Sequence, residues 1–391
     1  MMLEQHEISN WILMHKNIPV AALEIIAETG WIMNISNVFN LAHAPVGTVG
    51  KEKKDLDRSE LNNWMKNRSI PASRENLDYL FEKLQVYNAV ALSLKSYALS
   101  LSDQYWLRPE SEDLSWGAVN FFQNDFSDDI GEFLFQNKET TADLIDINSP
   151  DNTLDGVLRK KWKIQDGRRI LIKGSNDSNQ QEPFNEVIAS KIMTRLGIDC
   201  VDYSLTYING RAYSVCDNFI NESTELMTAN RISRIMKRGF ADDKFTHLLK
   251  CCDQLGMGDV QLDLEKMIVV DYLIANTDRH WGNFGFVRDV DTLKYLQFAP
   301  IYDSGTSLAN KGQNAFDSGI CKTFETTHNQ QIKLVTDLSW YKPIPRAELL
   351  EIIENVLLKN KEMKSERIRE IAKGVCERAN FVNRLKSELE K

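Results

Sequence analysis

Asp278 and Asn283 stand five residues apart in Asn276-Thr-Asp-Arg-His-Trp-Gly-Asn-Phe-Gly285, a polar knot that follows the apolar run Met267 to Ile274. Asp303 opens Asp303-Ser-Gly305 after a segment, Asn283 to Asp303, that reads as a hairpin with its turn at Arg288-Asp-Val-Asp291. A hairpin brings its ends together, so Asp303 is expected to reach the same place as Asn283. One aspartate with an asparagine at +5 and a second aspartate returned by a hairpin is the pattern of a phosphoryl-transfer centre. There the first aspartate receives the proton of an attacking hydroxyl, while the asparagine carbonyl and the second carboxylate hold Mg²⁺ through hard oxygen donors. His280 is grouped with Asp278 among the catalytic candidates, where it is expected to brace the loop as a structural histidine rather than act as a base, and Gly305 is expected to free the backbone after the metal ligand. Asp289 and Asp291 read as turn residues.

Such chemistry also needs a cation fixed on a strand and a loop over the phosphates. Lys173 ends the apolar strand Ile170-Leu-Ile-Lys173, and Glu186, early in the following helix, is its expected ion-pair partner. The alternative for Lys173 is a lysine snorkelling from a strand end. The segment Thr153 to Trp162, with Gly156, Lys160 and Lys161, is the candidate phosphate loop; the same lysines could equally form a solvated basic face. It has neither the G-x-G-x-x-G cover nor the G-x-x-x-x-G-K-[ST] of a P-loop, which removes that NTPase class. An adenine-binding hinge is expected near Val215 to Phe219, with Asp217 and Phe219. ATP and Mg²⁺ are the implied cofactors.

The elements that must place these groups read as α+β. Strands are expected at Trp162–Ile164, Arg169–Lys173, Val201–Ile208 and Ala212–Phe219, with one helix, Pro183 to Leu196, stopped by Gly197. Helices are expected over about Thr224–Arg238, Asp242–Leu255, Leu262–Asn276, Arg346–Lys359 and Lys364–Leu389. A small antiparallel-sheet lobe (146–220) followed by a helical lobe (221–391) is the layout of a two-lobed kinase, with the nucleotide in the cleft. Residues 1–145 read as mainly helical, on the periodicity of Ile18 to Ile26 and Leu77 to Leu101. They end in an aromatic arm (Tyr105, Trp106, Trp116, Phe121, Phe122, Phe126) that needs burial against a globular body.

Composition narrows the classes. A formal charge of −9 disfavours broad adhesion to nucleic acid or acidic membranes. No apolar stretch is long enough to span a bilayer, and the start lacks the pattern of a secretory signal. Six cysteines without a C-x-x-C pair suit reduced thiols, so a cytoplasmic setting is expected.

The motif around Asp278, together with Tyr302-Asp-Ser-Gly305 and Asn185-Glu186, resembles the HipA-like serine/threonine kinases of bacteria, over roughly residues 145 to 350. The resemblance implies a kinase-like fold, Mg-ATP, Asp278 as base, and Asn283 with Asp303 as metal ligands. It also implies an antitoxin as a candidate partner, and autophosphorylation of a hydroxyl in the phosphate-loop region, for which Ser149 and Thr153 are candidates. The family's toxin form begins with a largely β subdomain, from which a helical start departs. Ser100-Leu-Ser-Asp-Gln-Tyr-Trp106 is similar to a segment of stand-alone Gram-positive relatives. A protein hydroxyl is the expected acceptor. A small-molecule kinase on the same fold and a catalytically silent nucleotide-binding scaffold are the competing readings.

Overall fold

The computed structural model describes residues 7–50, 54–72, 74, 76–136, 145–154, 159–175, 179–310, 316 and 319–391. Its first strands correct the helical reading of the N-terminal region. β1 (Ile8–His15), β2 (Ile18–Ile26) and β3 (Ile32–Val38) join β4 (Tyr105–Pro109) in an antiparallel sheet of order β3-β2-β1-β4. The physical reason lies in β2 itself: IPVAALEII is apolar at nearly every position. A short continuous apolar run fits a buried strand as well as a buried helix, so periodicity cannot decide between them. A tight turn at Lys16, whose φ is +50°, pairs the run with β1 instead. Helices α1 (Arg58–Arg68), α2 (Leu77–Leu84) and α3 (Ala89–Leu94) follow, capped at their starts by Asp57 and Asn88 in the first and last cases.

The aromatic arm is buried as expected. Trp106, Trp116, Phe121 and Phe122 form one apolar cluster with Trp162 and Val287, and the Trp106 indole donates to the Lys16 carbonyl (2.7 Å). The arm therefore braces the N-terminal sheet against the two sheets described next.

β5 (Lys160–Gln165), β6 (Arg168–Lys173), β7 (Ser204–Ile208) and β8 (Arg211–Asp217) form an antiparallel sheet of order β5-β6-β8-β7, with α4 (Gln181–Leu196) inserted after β6. Gly197, at φ +70°, ends α4 as the sequence indicates. The helix expected over Thr224–Arg238 is largely replaced by a strand, β9 (Thr224–Thr228), followed by one turn, Ala229–Ile232. β9 supplies the edge on which the hairpin after Asn283 pairs, and that tertiary pairing overrides the local helical pattern. The hairpin is β10 (Gly285–Asp289) and β11 (Tyr295–Phe298), giving the order β11-β10-β9. Lys244–Gln254, Gln261–Leu273, Arg346–Leu357 and Ser365–Leu389 are helical. No helix among the described residues is long and apolar enough to cross a membrane.

Candidate active site

The helix Gln261–Leu273 carries Asp271 on a stretch, Met267 to Leu273, whose residues are all buried. A carboxylate in such surroundings must be paired, because an isolated buried charge is very costly. Its partner is Arg279, itself fully buried: Nε donates to Asp271 Oδ2 (3.0 Å) and Nη2 to Oδ1 (3.1 Å). The remaining donors of the guanidinium reach outward. Nη1 donates to the carbonyls of Asn283 (2.9 Å) and Tyr302, and Nη2 to Ser304 Oγ (2.9 Å). One side chain thus fixes the end of the apolar helix, the Asp278–Asn283 loop and the Asp-Ser-Gly segment in a single frame. Burial would lower the Arg279 pKa; the Asp271 carboxylate outweighs it and raises it.

Within that frame the three residues named first converge. The hairpin closes with the Ala299 amide donating to the Gly285 carbonyl (2.9 Å), which returns the chain towards Asn283. Asn283 donates its side-chain N–H to the Asp278 carbonyl (3.1 Å), and Asn276 Oδ1 accepts from the Asp278 amide (3.1 Å). His280 Nδ1 accepts from the Gly282 amide (3.1 Å) within the same loop. Asp303, not Gly305, adopts the left-handed conformation, with φ +57°; Gly305 is not among the residues of positive φ. A non-glycine residue held there stores backbone strain, and such strain collects at functional sites. A parallel bridge of Cys200 with Ile301 brings Tyr203 to the same place, and its ring lies 5.5 Å from Lys173 Nζ.

Lys173 is the buried centre of an ion-pair triad. Its ammonium bonds Glu186 Oε1 and Asp303 Oδ1 (2.5 Å), while Glu186 Oε2 accepts from the Ser304 amide (2.8 Å). This is not a snorkelling strand end; the charge points inward. Burial by itself would raise the Asp303 carboxyl, but the Lys173 ammonium, aided by Lys160 and Arg279, holds it well below the usual carboxylate range. The same two carboxylates keep Lys173 well above its ordinary value against the effect of burial. Lys160 stands opposite Lys173 in the β5–β6 register, so both side chains leave the same face of the sheet.

Other candidates are placed elsewhere. Lys161, one residue on, points to the opposite face and is buried against Glu132 and Asp128 of the N-terminal region, because side chains alternate along a strand. Asp217 pairs with Arg168 (3.0 Å) in solvent, away from the triad. Phe219 packs on Tyr302, ring centroids 5.6 Å apart, beside Asp303. Gly156 lies outside the described residues. Ser149 and Thr153 are interior: Ser149 caps a short 3-10 turn, and the Thr153 hydroxyl donates to the Leu99 carbonyl (2.7 Å). Neither hydroxyl is exposed at the surface.

Two further residues join the site without having been singled out in the sequence. Arg279 had a signal, a carboxylate at Asp271 inside an apolar run that required a buried cation. Lys322, whose Nζ lies 2.5 Å from Asp278 Oδ1, had none, being 44 positions away with no motif around it.

For Mg²⁺ the donor set fits. Asp303 is ionised and Asn283 offers an amide carbonyl, both oxygen donors of the kind this ion takes.

Residues 144–380 match the HipA-like C-terminal domain family. The serine/threonine-protein kinase CtkA of Helicobacter pylori is 31% identical over 134 residues, which is 32% of this chain and 40% of that protein. A solved structure of a Helicobacter pylori proinflammatory kinase CtkA is 19% identical, with a TM-score of 0.48 over 59% of this chain and 95% of that one. HipA of the Shewanella oneidensis toxin–antitoxin system, solved with HipB and operator DNA, has a TM-score of 0.50 at 13% identity, covering 97% of this chain and 95% of its own. That likeness extends over the N-terminal sheet as well as residues 144–380.

Proposed function

The chain belongs to the HipA-like kinase family, and from that premise we propose that it transfers the γ-phosphate of Mg-ATP to a serine or threonine hydroxyl of a protein. The observation that carries the proposal is the frame around Arg279, which holds Asp278, Asn283 and the Lys173–Glu186–Asp303 triad together.

In this reading Asp278 accepts the proton of the attacking hydroxyl at a carboxylate oxygen. Lys173, positioned by Glu186, supplies positive charge to the phosphates, and Lys160 on the same strand face adds to it. Asn283 and Asp303 would hold Mg²⁺, which neutralises phosphate charge when bound. Phe219 and Tyr302 offer an apolar wall beside these groups for a base. Six free cysteines accord with a cytoplasmic setting. An antitoxin-type protein is the partner supported by the fold likeness to HipA, and stoichiometric co-purification after co-expression with a candidate tests it.

The central test is incubation of the purified chain with γ-labelled ATP and Mg²⁺, followed by mapping of the label. Protein-bound label is expected, at a site other than the buried Ser149 and Thr153. Asp278→Ala should lower the rate by about 10²–10⁴-fold, the usual effect of losing a general base. Asp303→Ala should fold yet bind Mg-ATP weakly. Wild-type labelling by Asp278→Ala would remove the base assignment, and ATP binding without transfer to any hydroxyl would favour a silent scaffold.

A further inference from the structure

Lys322 approaches Asp278 from a segment that follows Asp-Ser-Gly and has its own built support. Ile320 bridges Thr327, and the Cys321 amide donates to the Thr326 carbonyl (3.1 Å), closing a short hairpin. Two bonds then clamp the hairpin to the catalytic loop on either side of its backbone. The Thr323 hydroxyl donates to the Arg279 carbonyl (2.7 Å), and the Trp281 indole donates to the Thr323 carbonyl (2.7 Å). Phe324 is buried, edge-on to Trp281 (5.9 Å), Phe284 (6.1 Å) and Phe245 (5.0 Å), and the Gln331 side chain accepts from its amide (3.0 Å). Lys322 therefore directly precedes two residues, Thr323 and Phe324, that are fixed to the Asp278 loop, while its own side chain is about half exposed.

An exposed ion pair adds little to fold stability. The apparatus around Lys322 is much larger than such a pair requires, and all of it aims one ammonium at one oxygen of the proposed base. We propose that Lys322 is a positioning residue for Asp278, engaging Oδ1 so that Oδ2 is presented to the acceptor hydroxyl, and coupling the base to the folded state of the 319–327 hairpin. The inference rests on the reading of Asp278 as the base. Atoms balance without change to the reaction: Lys322 keeps its protons, and the hydroxyl proton goes to the carboxylate.

The test uses the full chain with γ-labelled ATP and Mg²⁺, comparing wild type with Lys322→Ala, Lys322→Met, Lys322→Arg and Asp278→Ala. Lys322→Ala should lower kcat by about 10–100-fold, the scale of a misaligned reacting group, with KM for ATP within about twofold of wild type. Lys322→Arg restores a cation at the same reach and should recover most of kcat. Lys322→Met keeps the aliphatic stem and guards against a packing defect; it should fall with Lys322→Ala while melting within about 2 °C of wild type, as expected for an exposed pair. Wild-type kcat in Lys322→Ala beside an inactive Asp278→Ala would overturn the inference alone. A raised KM for ATP with kcat unchanged would also overturn it, making Lys322 a nucleotide-binding group. Full activity in Asp278→Ala would overturn the base reading and this inference with it.

Discussion

Replacing Lys173 by methionine should not only lower the stability of the chain but also make it depend on pH between 5.5 and 8. In the wild type, one buried ammonium is shared by the carboxylates of Glu186 and Asp303. Methionine of similar volume leaves two carboxylates facing each other in a buried setting with no cation between them. Breaking a buried pair from one side costs about 3–5 kcal/mol, because the remaining charge is left uncompensated. For a chain of 391 residues the unfolding entropy is about 0.8 kcal/mol per degree, so the melting midpoint at pH 8 should fall by about 4–6 °C. The pH dependence follows from the direction of the shifts. In the wild type the Asp303 carboxyl lies well below its ordinary 3.8, so its contribution is present above that value and lost only as pH falls through the depressed one. Between pH 8 and pH 5.5 it is constant. In Lys173→Met, burial and the like charge raise one carboxyl instead. Its protonated form is then stabilising at low pH, and that contribution is lost as pH rises through the raised value. The gap between variant and wild type should therefore narrow at pH 5.5. Differential scanning fluorimetry in EDTA, at both pH values and without nucleotide, reads this directly. A variant that melts with the wild type at pH 8, or whose deficit is the same at pH 5.5, would refute the buried-triad account.

Arg279→Lys should be far from conservative. A lysine cannot make the two-pronged contact with Asp271 and also reach the Asn283 and Tyr302 carbonyls, so labelling should fall by about 10²-fold or more while Asp271 is left underpaired. Steady-state kinetics beside a melting curve checks both effects. Gly285→Ala tests the hairpin: a Cβ there would stand 2.2 Å from the Met227 carbonyl oxygen, which belongs to backbone and cannot step aside. A loss of about 1–3 kcal/mol is expected, as for other overpacked sites, together with lost labelling because Asn283 and Asp303 share the hairpin's ends. A denaturation midpoint equal to wild type would contradict the close β9–β10 approach.

Much of the site was legible because its information is local. Asp278 and Asn283 lie in one loop, Asp303 follows one hairpin, and Lys173 and Glu186 end a strand and begin the next helix. Intervals of this kind survive folding, so spacing predicts proximity. The succession of strands and helix between Lys160 and Asp217 was readable for the same reason, through the strand-like runs and the Gly197 stop. The start of the chain was not. Ile18 to Ile26 offers the same apolar surface to a helix or a strand, and its pairing with β1 and β3 chose the strand.

By itself the sequence determined the chemistry that these residue types allow, an acid–base and hard-cation site flanked by a strand-borne lysine. The tertiary structure decided which groups share it. Alternation along β5 turned Lys160 to the face that carries Lys173 and Lys161 into the N-terminal interface. Packing set Arg279 at the centre, placed the left-handed turn at Asp303, and brought Lys322 to the base from a separate hairpin. The reason is that a chain records its neighbours along the backbone, whereas a buried charge is satisfied by whatever partner the fold brings within reach.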